Sequence, residues 1–274
     1  MRSNIHTHTT QCDGENTPLE MVQAALTLGF SGLGFSSHAP APFDATCPGV
    51  ANEEQYAEEI RALQRAFAGR LDIACGIEQD TCLPVEKELY DYIIASRHYV
   101  VPQPGVYIAV DAGRELLAKA AQQYYGGDMV ALLRQYYADA VAGVRQYAPT
   151  VVGHFDLPVK YNRGNVLFNE ESPAYRSMLL EAFDEVLEVV LPYGGMVEVN
   201  TGAIARGHRD APYPAPFLLK HAAQRRARMI ITSDAHSARM LDAGYEIATA
   251  VLQKAGFGHV VQLQNGVFAE GPLE

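Results

Sequence analysis

Short apolar segments alternate with helical segments along the whole chain, and this alternation restricts the possible fold more than any other feature. Seven segments are predicted strands: 4–8, 32–37, 71–77, 92–96, 151–153, 196–200 and 229–233. The predicted helices are 18–29, 52–68, 112–124, 128–147, 172–191, 215–226 and 238–254. Strands that alternate with helices are typical of a parallel sheet with helical crossovers. We therefore expect an α/β fold.

The seven units follow one another without a break in composition, which favours one domain over residues 1–274 and a closed or nearly closed barrel. An open, doubly wound sheet is the alternative. It is disfavoured because no strand is followed by a glycine-rich phosphate loop.

Every predicted strand carries a His, Asp or Glu at or just beyond its carboxyl end. These residues are His6, His8 and Asp13, then His38, Glu78, His98, His154 and Glu198, and finally Asp234 and His236. Taken singly, each could cap a helix or satisfy loop backbone. In a barrel of parallel strands, however, all the carboxyl ends meet at one rim, where the active site is built. We therefore expect these side chains to converge.

Nine side chains of this set are potential metal ligands: His6, His8, Asp13, His38, Glu78, His98, His154, Asp234 and His236. A tetrahedral zinc takes three or four ligands, so nine suggest two or three divalent ions. Imidazole with carboxylate suits Zn, Mn or Fe without choosing among them. Cys12 is beside this set and could be a ligand, but a small buried thiol is the preferred interpretation. The remaining histidines, His208, His221 and His259, are expected to be ordinary surface or packing residues.

Composition limits the partners. The formal net charge of −11 argues against nucleic acid as a main partner, although bound cations could reverse the charge locally for a small anionic substrate. No apolar run reaches the roughly 18–20 residues of a membrane span, and there is no signal segment or C-x-x-C pair. These features predict a cytoplasmic protein with reduced thiols and no membrane partner, and they leave its oligomeric state open.

The motifs resemble those of the polymerase and histidinol phosphatase (PHP) family. They are His6-x-His8 with Asp13-Gly14, Ser37-His38, Gly76-Ile77-Glu78, Ser96-Arg97-His98, Gly153-His154-Phe155-Asp156, Glu198-Val199-Asn200-Thr201-Gly202 and Ser233-Asp234-Ala235-His236. The segments 153–161 and 198–202 are most similar to the histidinol-phosphatase branch. The resemblance extends from residue 6 to about 236.

The resemblance implies a distorted seven-stranded (β/α)7 TIM-like barrel with a trinuclear metal centre. Carried over by motif, the ligands of one metal would be His6, His8, Glu78 and Asp234. Glu78 would bridge to a second metal completed by His98 and His154, and the third would be held by Asp13, His38 and His236. The implied reaction is hydrolysis of L-histidinol phosphate in histidine biosynthesis.

Five further residues are candidates for contact with a phosphate-ester substrate. Arg163 and Arg206 could clamp phosphate, because a guanidinium group matches two phosphate oxygens. Arg97 replaces the small or apolar residue usual in the family, and it could contact substrate or point outward. Glu198 and Asn200 share one face of their strand and are expected to support the site or contact substrate.

The expected chemistry is phosphomonoester hydrolysis by a metal-activated water, with Glu78 bridging two metals. The leaving alkoxide needs a proton, which Asp234, His236 or a metal-bound water could supply. Two other functions stay open at this level. One is a phosphatase or phosphodiesterase acting on another small ester, such as a nucleotide. The other is a non-catalytic metal-binding accessory module.

Overall fold

The structure is a computed structural model that describes residues 2–47 and 49–273. The strands are β1 (Ser3–Asn4), β2 (Gly32–Phe35), β3 (Asp72–Asp80), β4 (Tyr92–Ser96), β5 (Tyr99–Gln103), β6 (Val106–Ala109), β7 (Val151–Val152), β8 (Met196–Asn200), β9 (Arg228–Thr232), β10 (His259–Gln264) and β11 (Val267–Pro272). The helices are α1 (Pro18–Thr27), α2 (Glu53–Ala66), α3 (Arg114–Tyr125), α4 (Met129–Tyr147), α5 (Pro173–Val190), α6 (Gly202–Ala205), α7 (Pro216–Gln224) and α8 (Tyr245–Ala255). Within these ranges, no helix is long and apolar enough to cross a membrane.

Local sequence explains where the long helices begin. Thr17 accepts a hydrogen bond from the backbone of Glu20, whose side chain returns one to the Thr17 backbone, and Pro18 occupies the first turn of α1. At the start of α5 the Ser172 hydroxyl accepts from the Tyr175 amide and Pro173 occupies the first turn, without the reciprocal bond seen in α1. These side chains satisfy amide groups that have no partner within the helix.

The main sheet of the described residues has nine strands in the order β1-β2-β3-β4-β7-β8-β9-β10-β11, and β5 pairs with β6 in a separate hairpin. Neighbours from β1 to β10 are parallel, whereas β10 and β11 are antiparallel. The sheet curls until Thr7, beyond β1, forms a parallel bridge with Ala235, beyond β9. The His8 amide donates to the Ala235 carbonyl at 2.9 Å, which brings the carboxyl ends of β1 and β9 together.

Apolar side chains fill two spaces. One cluster lies inside the curled sheet and consists of Ile5, Ala74, Tyr92, Ile94, Val151, Met196, Ile230, Val261 and Leu263. The larger cluster lies between the sheet and its helices. Most of the inner cluster comes from the amino-terminal ends and the middles of the strands, so the carboxyl edge of the sheet is left for polar side chains.

The α/β fold with its parallel, curled sheet is confirmed, but the strand count differs from the predicted seven. The C-terminal hairpin β10–β11 adds two strands to the sheet, and β5–β6 forms a second hairpin; neither was predicted. The last helix begins at Tyr245 instead of 238. Gly244 has a φ of 77°, a left-handed conformation that separates α8 from a short 3₁₀ turn at 238–240.

Candidate metal centre

The nine predicted ligands, contributed by the ends of six parallel strands and by the loops that follow them, come together at the carboxyl edge of the sheet. Groups of these side chains place ligand atoms within 4.8 Å of one another. The convergence follows from the parallel topology, because the strand ends all point to the same side. It also requires the curl, which brings the segments after β1 and β9 into contact.

Four of these side chains surround one position. Nε2 of His6 lies 3.3 Å from Oε2 of Glu78 and 3.7 Å from Oδ1 of Asp234. Nε2 of His8 lies 3.5 Å and 3.2 Å from the same two oxygens. Ligand atoms about 2.0–2.1 Å from a tetrahedral zinc are separated by roughly 3.4 Å. The spacing therefore fits a single cation among the four atoms.

Hydrogen bonding within the described residues supports the same interpretation. Nε2 of His6, Nε2 of His8 and Oε2 of Glu78 are buried and have no hydrogen-bond partner. They are close together, yet their geometry is not that of hydrogen bonds to one another. Buried polar atoms are rarely left unsatisfied in native proteins. A cation between them would satisfy all three, so these residues fit a metal ion.

The second oxygen of Glu78 faces a different pair of histidines. Oε1 of Glu78 lies 2.9 Å from Nε2 of His154 and 3.5 Å from Nε2 of His98, and it accepts a hydrogen bond from the Ser96 hydroxyl at 2.6 Å. Glu78 thus presents one oxygen to each of two neighbouring positions. This geometry is suitable for a carboxylate that bridges two cations.

A third group lies nearest to solvent. Oδ2 of Asp13 is 3.2 Å from Nε2 of His236 and 3.6 Å from Nε2 of His38. The Asp13 side chain is 37% exposed, whereas that of Glu78 is fully buried. The third position is therefore the one most open to exchange with solvent.

Two carboxylates contact the Nδ1 atoms of histidine rings in this centre. Glu198 is buried and accepts hydrogen bonds from Nδ1 of His6, from the His154 amide and from the Thr232 hydroxyl. Asp80 accepts from the His98 amide at 2.8 Å and lies 3.2 Å from Nδ1 of that ring. Such partners fix the orientation of a metal-binding imidazole. Sequence analysis missed Asp80, although the period of two places it on the same face of β3 as Glu78.

Asn200 is also part of this support. Its amide nitrogen donates to Glu198 at 3.0 Å, and its oxygen accepts from the Gly202 amide at 2.8 Å. Both Glu198 and Asn200 are completely buried and neither lines the cavity described below. Of the two roles expected for them, the structure supports the positioning of neighbours.

Charges in the centre are strongly coupled. Burial disfavours the charged imidazole of His6, but the carboxylates of Glu198, Glu78 and Asp234 outweigh it and raise the pKa of His6 to about 10. Burial likewise opposes ionisation of Glu78, yet the nearby histidines hold its pKa well below the usual range. For Asp234, Arg206 and His6 outweigh burial and lower the pKa in the same way. The apoprotein would retain protons that a divalent cation can replace.

A cavity of about 370 Å³ opens above the metal-binding residues and contains two cationic side chains in its wall. Arg206 donates to Oδ2 of Asp234 at 3.1 Å and contacts His236, so it lies at the centre as predicted. Lys160, which sequence analysis did not single out, forms an ion pair with Asp111 at 2.9 Å. Arg206 and Lys160 are thus the side chains placed to meet an anionic group.

The structure places the other two arginines away from this cavity. Arg97 is buried and turned toward α4, where it pairs with Asp139 at 2.9 Å and donates to the Tyr99 carbonyl. Arg163 is exposed and paired with Asp210 at 2.8 Å. The structure therefore does not bring Arg97 or Arg163, both predicted as candidates for substrate contact, to this cavity. In each case a nearby carboxylate holds the guanidinium elsewhere.

Two insertions form the outer wall of the cavity: the segment 39–47 after β2 and the hairpin β5–β6 after β4. Phe43 stacks on Tyr107 with ring centroids 3.8 Å apart and meets Tyr99 edge-on at 4.9 Å. Asp44 accepts a hydrogen bond from the Tyr99 hydroxyl at 2.5 Å. These contacts join the two insertions and confine the cavity to the size of a small ligand.

The remaining sequence candidates lie at the edge of the centre or outside it. Sγ of Cys12 is 3.5 Å from Nδ1 of His8. Burial acts against the thiolate, but this contact with His8 lowers the pKa of Cys12 to about 7. His208 packs on Tyr161, His221 is in a surface ion pair, and His259 is exposed at the start of β10.

The chain is similar to proteins of one family. The PHP domain matches residues 4–202. A Deinococcus radiodurans protein described as "Probable histidinol-phosphatase" is 35% identical, covering 90% of this chain and 90% of the relative. The histidinol-phosphatase of Bacillus subtilis is 27% identical over 88% of this chain and 96% of its own length. Histidinol phosphate phosphatase of Lactococcus lactis, solved with zinc, L-histidinol and phosphate, has a TM-score of 0.71 at 19% identity, covers 98% of each chain and shows the shared fold.

Proposed function

The chain belongs to the PHP domain family, and we propose that it is a metal-dependent phosphomonoesterase that hydrolyses L-histidinol phosphate to histidinol and phosphate, a step of histidine biosynthesis. The observation that carries the proposal is the convergence of nine histidine and carboxylate side chains beneath a small cavity whose wall bears Arg206 and Lys160. The relatives that share most of its length are described as histidinol-phosphatases.

We interpret the parallel strands β1–β4 and β7–β9 as a distorted TIM-like barrel whose mouth is this site. In this interpretation the bridge between Thr7 and Ala235 closes the barrel, and the C-terminal hairpin packs at its opposite end. Active sites of such barrels are built at the carboxyl ends of the strands.

The site would hold two or three divalent ions, with Zn, Mn and Fe as the candidates. His6, His8, Glu78 and Asp234 would hold the first. Glu78, His98 and His154 would hold the second, and Asp13, His38 and His236 the third. When bound, such ions would neutralise phosphate oxygens and lower the pKa of the attacking water.

The side chains of the chain itself supply binding and proton transfer. Arg206 and Lys160 would contact phosphate oxygens, since both reach the cavity as cations. Glu198 and Asp80 keep His6 and His98 in fixed orientations, which limits rearrangement during the reaction. Asp234 and His236 lie beside Arg206 at the cavity. The low pKa of Asp234 keeps this carboxylate ionised, so it would hold Arg206 in place, and the leaving alkoxide would take its proton from His236 or from a water.

The cavity also favours a small monoester over a nucleotide. Its outer wall is closed by the contacts among Phe43, Asp44, Tyr99 and Tyr107. The decisive experiment compares phosphate release from histidinol phosphate with that from nucleoside monophosphates, using protein loaded with Zn or Mn. We expect histidinol phosphate to be preferred by at least about tenfold in kcat/KM, and EDTA to abolish the activity. Preference for a nucleotide would mean that the chain is a PHP phosphatase with another substrate. Activity unaffected by EDTA would contradict the metal mechanism.

A further inference from the structure

The hydrogen-bonded ladder between β1 and β2 ends just before the metal-binding residues. Only Ser3 and Asn4 are paired in register, with Gly32 and Leu33. His6 and His8 lie just beyond it, on the continuation of β1. Beyond this ladder the backbone is bonded again, because the Ala235 amide donates to the His6 carbonyl at 3.1 Å and the Ser36 amide donates to the Thr7 carbonyl at 3.0 Å. Ile5 lies between the ladder and these bonds.

A tyrosine from another strand contacts the backbone at Ile5. Tyr92 lies on β4, is 1% exposed and points into the interior of the curled sheet. Its hydroxyl lies 2.5 Å from the Ile5 carbonyl and 3.0 Å from the Phe35 carbonyl, and donates its proton between them. The two carbonyls belong to the two neighbouring segments, so one hydroxyl connects β1 to β2. The Ile5 carbonyl is part of the peptide group that leads into His6.

Two glycines make room for this side chain. A Cβ atom on Gly76 of β3 would collide with the Tyr92 ring, and one on Gly34 of β2 would collide with its hydroxyl. The phenol thus occupies a slot that side chains at either position would fill. This close fit holds the hydroxyl at the gap between β1 and β2.

We propose that Tyr92 is a positioning residue of the metal centre: its hydroxyl fixes the backbone beneath His6 and His8 so that their Nε2 atoms face a common cation. The inference rests on the proposed function, because it requires that these histidines bind metal. Thr7 provides a second, weaker tie, since its hydroxyl donates to the Gly34 carbonyl at 2.6 Å and its amide donates to the Ser36 hydroxyl. Tyr92 does not contact the cavity and takes no part in the chemistry.

The test is the substitution Tyr92→Phe in the full chain, which removes only the hydroxyl. The matched control is Tyr175→Phe on α5, where a buried hydroxyl lies 3.3 Å from the hydroxyl of Tyr137, outside the curled sheet. Zinc affinity is measured by competition with a chelating dye, and thermal unfolding is followed on the metal-free proteins. We expect Tyr92→Phe to weaken zinc binding about tenfold, and Tyr175→Phe to change it less than about twofold.

A second readout separates positioning from a general loss of stability. Added zinc should restore phosphate release by Tyr92→Phe, because the defect lies in metal affinity. If Tyr92→Phe does not fold, Thr7→Val removes another side-chain bond between the β1 and β2 segments and should also weaken zinc binding. If the wild-type protein binds zinc and the Tyr92→Phe and Thr7→Val variants bind it equally well, the positioning role is wrong. If wild-type protein itself binds no divalent metal, the proposed function fails, and this inference fails with it.

Discussion

The two ends of the sheet are built from the same strands but have opposite chemistry. On β8 the side chains of Met196, Glu198 and Asn200 share one face, yet Met196 packs in the apolar interior while Glu198 and Asn200 support the metal centre. The same change occurs on β9 between Ile230 and Thr232. On these two strands the amino-terminal or middle part packs in the apolar interior, and the carboxyl-terminal part supports the candidate site. Substitutions at the two ends should have separable effects.

The largest effect is expected at the mouth, for Glu78→Gln. Loss of one carboxylate charge removes the group that faces two cation positions, so kcat/KM for histidinol phosphate should fall by about 10³-fold or more. The measurement is phosphate release together with bound metal. Glu270→Gln on the exposed face of β11 is the matched control and should leave both unchanged. Full activity of Glu78→Gln would show that this carboxylate does not bridge cations.

The next largest effect is expected in the interior, for Ile230→Ala. Ile230 is 1% exposed, and its truncation should lower the free energy of unfolding by about 2–4 kcal/mol, since it removes buried surface and leaves a cavity. Urea unfolding measures this change. Metal content and KM should stay at wild-type values while the protein is folded. A loss of metal equal to that of Glu78→Gln would mean that the two ends are not separable.

Two arginines, one in the wall of the cavity and one outside it, should differ in their effect on activity. Arg206→Ala should lower kcat/KM for histidinol phosphate by about 100-fold, because it removes a cation placed to bind phosphate. Arg163→Ala should stay within about twofold, because its guanidinium is exposed and paired with Asp210. Steady-state kinetics on both variants provides the measurement. Equal effects would contradict the positions assigned to the two side chains.

The smallest effect is expected at a surface site that belongs to neither end. A hydrogen bond from His221 and the charge of Arg225 lower the pKa of Asp184. The contacts of Asp184 with His221 and Arg225 therefore stabilise the folded protein at pH values above the unfolded pKa of about 4. This contribution is lost as the pH falls through the lower pKa of the folded protein. Asp184→Asn should cost about 0.5 kcal/mol at pH 7 and less near pH 3, as measured by urea unfolding. Exposed Glu188→Gln is the control, and a larger loss at low pH would reverse the expected sign.

The α/β class and the convergence of the candidate ligands were predictable because they depend on periodic and local signals. Alternating strands and helices gave the α/β class, and a polar residue at each strand end gave the cluster. The hairpins β5–β6 and β10–β11 were not predicted. For β10–β11 a local signal was overlooked, since Asn265-Gly266 joins the two strands by a two-residue turn with positive φ at both residues. The place of this hairpin in the sheet, by contrast, depends on surfaces formed by the rest of the chain. The C-terminal hairpin, for example, is tied to β1 by a bond from the Leu263 amide to the Ser3 hydroxyl.

Substrate contacts were harder to predict for a related reason. An arginine that follows a motif can reach the cavity, as Arg206 does, or pair with a carboxylate elsewhere, as Arg97 and Arg163 do. The tertiary structure decides where a long arginine side chain points and which carboxylate it pairs with. Lys160 was overlooked because nothing in its local sequence distinguishes it from a solvated lysine.

The proposed metal centre is best tested by metal analysis of the chain, purified without added metal and then loaded with Zn or Mn. We expect two or three equivalents per chain, loss of the metal and of histidinol phosphate hydrolysis on treatment with EDTA, and recovery of both on reloading. Less than about half an equivalent after loading, or hydrolysis that persists without metal, would contradict it.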